Sequence, residues 1–155
     1  MSGPETVERI LRGKAVVPGR AQGTAIVSSQ PLSLWGGVNP QTGEIIDRRH
    51  DRSGAILTGK VFVFPTGKGS STTSTILMES VRAGTAPAAI INVTPDPLAA
   101  LGAIVADELY GQTVPIVTLS QEDFDAIREG DELTVERDGA IRLQRRDRAS
   151  DDAEL

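Results

Sequence analysis

At 155 residues and a net charge of −5, the chain is long enough to bury the core of one domain. It has no basic stripe interleaved with aromatics, which argues against a nucleic-acid partner. The absence of cysteine excludes disulfides, thiolate metal sites and any iron–sulfur cluster ligated by this chain alone; with no apolar leader and no run of membrane-spanning length, the expectation is a cytoplasmic protein without a membrane partner.

Aromatics make up 3% of the residues, against 16 glycines and 9 prolines, which favours a turn-rich fold with a β-branched core over a helical bundle. Residues 1 to 12 are polar, with a weak helical pattern at Val7, Ile10 and Leu11. Lys14 to Val17 and Thr24 to Ser28 read as two strands joined by a Pro18-Gly19 turn. Gln30 to Gly43, rich in Pro, Gly and Asn, reads as an ordered loop, Glu44 to Asp47 as a short strand, and Arg48 to Ser53 as a polar loop. Gly54 to Phe64 holds a strand in which Phe62 and Phe64 share a face. The spacing then predicts a helix from about Thr72, ended by Gly84 with Arg82 in its last turn.

Ala88 to Val93 is a buried strand, and Asp96-Pro97, as N-cap and N1, opens a helix to about Leu109. Val114 to Leu119 is a further strand, and Ser120-Gln121-Glu122-Asp123 starts a helix ending near Gly130. Glu132 to Val135 and Ala140 to Leu143 form a hairpin about Asp138-Gly139, and from Arg145 the chain is charged and expected to be disordered. The order, β-rich first and then β-α-β-α-β-α-β-β, predicts an α/β fold with helices covering a mixed sheet or half-barrel.

The chemistry concentrates in Pro65-Thr66-Gly67-Lys68-Gly69-Ser70-Ser71-Thr72-Thr73-Ser74, between the strand Val61-Phe62-Val63-Phe64 and a helix. A glycine turn running into a helix N-terminus presents free N–H groups and suits a carboxylate or phosphate, here with hydroxyls beside it. The run fails the P-loop, because Gly69 follows Lys68, it fails the dinucleotide loop, because Thr72 stands where a glycine is needed, and it does not make a nucleophile elbow. Without those motifs the alternative is a hydroxyl-rich capping loop.

Elsewhere the signals are thinner. His50, between Arg49 and Asp51, reads as a solvent-exposed loop residue, with a general acid as the functional alternative. Trp35, the single tryptophan, reads as a plug for a core or an interface. Asp47, Asp96 and Asp107 are too dispersed to argue a metal cluster, and Asp96 is explained as a cap.

Read as a whole, the sequence closely resembles the small subunit, or swivel domain, of the aconitase X family. The resemblance rests on Gly23-Thr24-Ala25, on Pro31 to Gly43 with its Trp35-Gly36-Gly37-Val38 core, on Ile45-Ile46-Asp47 and on Gly67 to Ser74. It continues through Glu79, Gly84 to Ile91 and Gly102 to Ala106, covering about Lys14 to Leu143. Residues 48 to 52, Arg-Arg-His-Asp-Arg, depart from the Arg-His-His-Pro-Leu usual in relatives.

The resemblance implies a swivelling β/β/α domain over residues 14–144, preceded by an N-terminal extension (1–13) and followed by a disordered charged tail (145–155). Family members are hydro-lyases related to aconitase, with cis-3-hydroxy-L-proline and phosphomevalonate among their substrates. A large subunit is expected to hold the iron–sulfur or iron cofactor, and this chain to hold no metal. In aconitase a Gly-Ser-Ser-Arg turn supplies the serine base; the matching residues are Gly69, Ser70 and Ser71, with Thr72 in place of the arginine. Ser70 is therefore the expected catalytic base, with Gly69, Ser71 and Thr72 as substrate-binding donors and Lys68 as electrostatic support.

The acidic, arginine-rich tail favours the bacterial activity, dehydration of cis-3-hydroxy-L-proline, over the phosphomevalonate dehydratase small subunit. The rival of another class is a non-catalytic anion-binding module.

Overall fold

The structure, a computed structural model, describes residues 6–68 and 72–146. Strands β1 (Thr6–Arg12), β2 (Lys14–Val17) and β3 (Ala21–Val27) come first, followed by a single distorted turn, α1 (Leu34–Gly37), and β4 (Val61–Val63). Helix α2 (Thr73–Ala83), β5 (Ala89–Asn92), α3 (Pro97–Tyr110), β6 (Ile116–Thr118), α4 (Gln121–Asp125), β7 (Glu132–Val135) and β8 (Ala140–Arg146) complete the order. Among the described residues the strands form one mixed eight-stranded sheet, β1-β8-β7-β3-β4-β5-β6-β2. No helix among them is long and apolar enough to cross a membrane.

The centre of the sheet is parallel: β3, β4, β5 and β6 are neighbours, and α2 and α3 make the crossovers between β4, β5 and β6. Strands buried on both faces must be apolar at every position, as Val61-Phe62-Val63 and Ala89-Ile90-Ile91 are. Phe62, Phe64 and Ile90 pack with Leu77 and Val81 of α2 and Ala99 and Ala103 of α3. Val61, Val63 and Ile91 face the opposite way, into a core with Phe124, Leu133, Ile141 and Leu143. The Phe62 and Phe64 rings, on one face as the alternation predicts, stack at 4.1 Å. Complete burial of one such ring contributes about 1.5–3 kcal/mol.

The predicted helix boundaries hold where a local signal sets them. Helix α2 ends at Gly84, whose φ is 77°, and α3 starts at Asp96, whose side chain accepts from the N–H groups of Leu98 and Ala99. The hairpin of β7 and β8 also forms as expected.

Four expectations are corrected. Residues 6–12 are strand rather than helix, pairing antiparallel with β8 (Leu11 opposite Ile141). Of their apolar residues Leu11 is buried while Val7 and Ile10 are exposed, so an edge strand carried no clean alternation to read. The boundaries at 13 and 145 shift accordingly, because the sheet runs from Thr6 to Arg146 and Arg145 is ion-paired with Asp131 at 2.7 Å; the tail from 147 lies outside the described residues.

β2 and β3, although consecutive, do not pair with each other: β2 joins β6, and β3 joins β7 through Ala21–Thr24 and β4 through Ala25–Val27. Because β1 and β2 are adjacent in the chain yet stand at opposite ends of the strand order, the sheet curls back on itself, with the Gly13 N–H donating to Gly139 O at 3.1 Å. Helix α4 stops at Asp125 rather than near Gly130, since Phe124 and Ile127 both turn into the inner core. Finally, Glu44 to Asp47 forms no strand, only single bridges between Val38 and Ile45 and between Glu44 and Ile56.

Candidate active site

The site lies where parallel sheets place one, at the carboxyl ends of the parallel strands. After Val63 the chain passes Phe64-Pro65-Thr66 to Gly67, which bridges to Leu32. Lys68 N–H donates to Leu32 O at 3.1 Å, stitching the glycine–serine turn to the Trp-Gly-Gly loop. The expected base Ser70, with Gly69 and Ser71, lies outside the described residues, so the structure describes the two flanks of the turn. On the far flank Thr72 precedes α2, and the first turn of α2 holds no acidic residue. Its N–H groups are therefore not neutralised by a local carboxylate, the arrangement an anionic ligand needs.

Gly67 is required by close approach. A Cβ there would lie 2.0 Å from Asp96 Oδ2, an atom that is buried and has no hydrogen-bond partner among the described residues. The other oxygen, Oδ1, caps α3. Gly67→Ala is expected to push Asp96 out of its cap, costing about 2 kcal/mol and lowering the thermal midpoint by about 4–8 °C. An unchanged midpoint in thermal denaturation would mean that Asp96 yields without loss.

A cleft of about 570 Å³ opens beside the turn, lined by residues from three segments: Gln30 to Gly37, Asp47 to His50, and Lys68. Trp35 (φ −71°, ψ 121°) and Gly36 (φ 77°, ψ −13°) carry type II turn angles. That turn leaves the indole 58% exposed at the cleft, so Trp35 is not the core plug that was one reading of it. The loop beneath is held by Leu32, Leu34, Val38, Ile45 and Leu57, all in the helix-side core.

His50 is not the exposed residue expected from its polar loop: it is 6% exposed. The Arg52 N–H donates to its Nδ1 at 3.1 Å, which assigns the proton to Nε2. Nε2 lies 3.2 Å from Ser28 Oγ, and the Ser28 hydroxyl donates in turn to Asp51 Oδ1 at 2.6 Å. Asp51 Oδ1 is also 3.3 Å from Nδ1, but Nδ1 already accepts the Arg52 N–H. Serine, histidine and aspartate thus meet in the order His-Ser-Asp, the wrong order for activating the serine as a nucleophile. The knot has a positional effect: it ties residues 50–52 to the end of β3. Arg52 adds an ion pair to Glu129 at 2.8 Å.

The departures from the family pattern at 48–52 are therefore built into this fold. Sequence reasoning missed Ser28 and the cleft-lining Arg49, for which no spacing signal exists.

Among the described residues no group of three or more His, Asp or Glu side chains gathers, and the chain has no cysteine. Its own side chains do not fit the ligand set of an iron–sulfur cluster.

Comparison with known proteins agrees with this geometry. Residues 10–143 match the family model of the aconitase X swivel domain. The chain is 46% identical over 114 residues to a cis-3-hydroxy-L-proline dehydratase of Pseudomonas aeruginosa, covering 74% of this chain but 20% of that protein; it thus spans about a fifth of the length of that relative. It is 37% identical over 132 residues to a phosphomevalonate dehydratase small subunit of Methanocella arvoryzae, covering 84% of this chain and 96% of that one. The crystal structure of Thermococcus kodakaraensis aconitase X in its holo form superposes with a TM-score of 0.78 at 34% identity, over 87% of this chain and 98% of the other. A match across nearly the whole curled sheet leads to one conclusion: the chain belongs to the aconitase X swivel domain family.

Proposed function

We propose that this chain is the small, swivelling component of a cytoplasmic hydro-lyase that dehydrates cis-3-hydroxy-L-proline, working with a separate large component that carries the iron or iron–sulfur group. The observation that carries the reading is the cleft beside the turn, lined by Lys68, Arg49 and Asp47. Similarity to the hydroxyproline dehydratases supports the substrate.

Dehydration removes the proton α to the carboxylate and the β-hydroxyl as water, leaving a carbon–carbon double bond conjugated with the carboxylate. Ser70 takes the α proton; the positive end of α2, the glycine N–H groups and Lys68 lower the cost of negative charge on its oxygen. Gly69, Ser71 and Thr72 hold the substrate. The large component supplies Lewis-acid chemistry at the leaving hydroxyl, and the exposed Trp35 at the cleft is a natural contact for it.

A second reading, the small subunit of a phosphomevalonate dehydratase, has one observation in its favour: the relatives so named are separate small chains, one of them covered over 96% of its length. Reconstitution with the large component and assay on both compounds decides. Turnover of cis-3-hydroxy-L-proline alone is expected; turnover of phosphomevalonate alone would replace the first reading by the second.

A further inference from the structure

We propose that the cleft receives its substrate as a zwitterion, with Arg49 and Lys68 gripping the carboxylate and Asp47 accepting from the ammonium group; this rests on the dehydratase reading above. What sets the charges on the cleft apart is that both signs converge on one cavity. Elsewhere Arg20 pairs with Glu136, Arg52 with Glu129, Arg82 with Glu79 and Arg145 with Asp131. Arg49, Lys68 and Asp47, which all line the cleft, have no ion-pair partner among the described residues, although the three are of opposite sign and share one cavity.

Asp47 Oδ1 accepts the Arg49 backbone N–H at 3.0 Å, and Asp47 O accepts the His50 N–H at 3.1 Å. The acid and the base therefore sit on one short turn, anchored behind by the buried Ser28–His50–Asp51 knot. Both nitrogens of His50 are engaged within the protein, Nε2 with Ser28 and Nδ1 with the Arg52 N–H. Two cations and one carboxylate match a ligand carrying a carboxylate and an ammonium group. A dianionic phosphate would instead meet Asp47 unshielded. The planar guanidinium suits a carboxylate bidentately, which the ammonium of Lys68 does not.

The test is calorimetric titration of the reconstituted, iron-loaded pair with cis-3-hydroxy-L-proline and with its carbocyclic analogue, cis-2-hydroxycyclopentane-1-carboxylate, which keeps the carboxylate and hydroxyl but lacks the amine. Arg49→Gln is expected to weaken both compounds at least tenfold, with Arg49→Lys recovering part of the loss. Asp47→Asn is expected to weaken the imino acid about tenfold and to leave the carbocycle within twofold. Equal effects of Asp47→Asn on both compounds, or unchanged affinity in Arg49→Gln, would overturn the assignment.

The outcomes separate the two readings. A pair that binds with the expected pattern but forms no dehydrated product keeps the zwitterion site and removes the dehydratase. A pair that dehydrates yet is indifferent to both substitutions removes the site alone. Absence of binding by either compound removes both.

Discussion

Ser70→Ala is expected to abolish turnover by the reconstituted pair, a loss of about 10²–10⁴-fold attributable to the missing base, while the thermal midpoint and the association with the large component stay as they were. The size of the effect follows from the lack of a substitute. The one histidine in the chain has both ring nitrogens engaged within the protein, and Lys68 acts by its charge. Ser71→Ala, removing a donor to substrate and not the base, is expected to cost about tenfold. Steady-state kinetics on purified pairs, with midpoints measured in parallel, separates chemistry from folding. Retention of full activity by Ser70→Ala would leave the chain as an anion-binding module at most.

Asp131→Ala is expected to lower stability by about 2–4 kcal/mol, or the thermal midpoint by roughly 5–15 °C, with little effect on the substrate cleft. Asp131 is 2% exposed and accepts from Arg145 Nε and Nη2, each at 2.7 Å, and from the Arg128 N–H at 2.8 Å. The hydrogen bonds it donates to Asp131 hold the Arg145 guanidinium above its ordinary pKa. Removing the carboxylate leaves a partly buried guanidinium and a backbone donor without their acceptor. The cost falls below that of a fully buried pair because the Arg145 side chain is 21% exposed and water reaches it. Differential scanning calorimetry checks the figure; a midpoint within a degree of wild type would mean that the last residues of β8 add nothing to the fold.

Much of the architecture was legible because its determinants are local. Asp96-Pro97 and Gly84 bound helices through bonds within a few residues of themselves, and Phe62 and Phe64 share a face because any strand alternates. The strand before the glycine–serine segment and the helix after it were equally legible, since both are short-range events. The misreadings share the opposite cause. β1 is held by β8 from the far end of the chain, and two of its three apolar residues, Val7 and Ile10, face solvent, so its own pattern could not declare it a strand. The early end of α4 depends on where Phe124 and Ile127 meet the inner core.

The site divides along the same line. By itself the sequence determined the fold class and the family, because those rest on contiguous residues whose preferences act over one or two turns of chain. The tertiary structure alone decided that His50 is buried, since its partner Ser28 lies 22 residues away. It alone brought Arg49 and Asp47 to the same cleft as Lys68. Charges separated by some twenty residues become neighbours only when packing of the loop core fixes the distance between them, and no local preference encodes that distance.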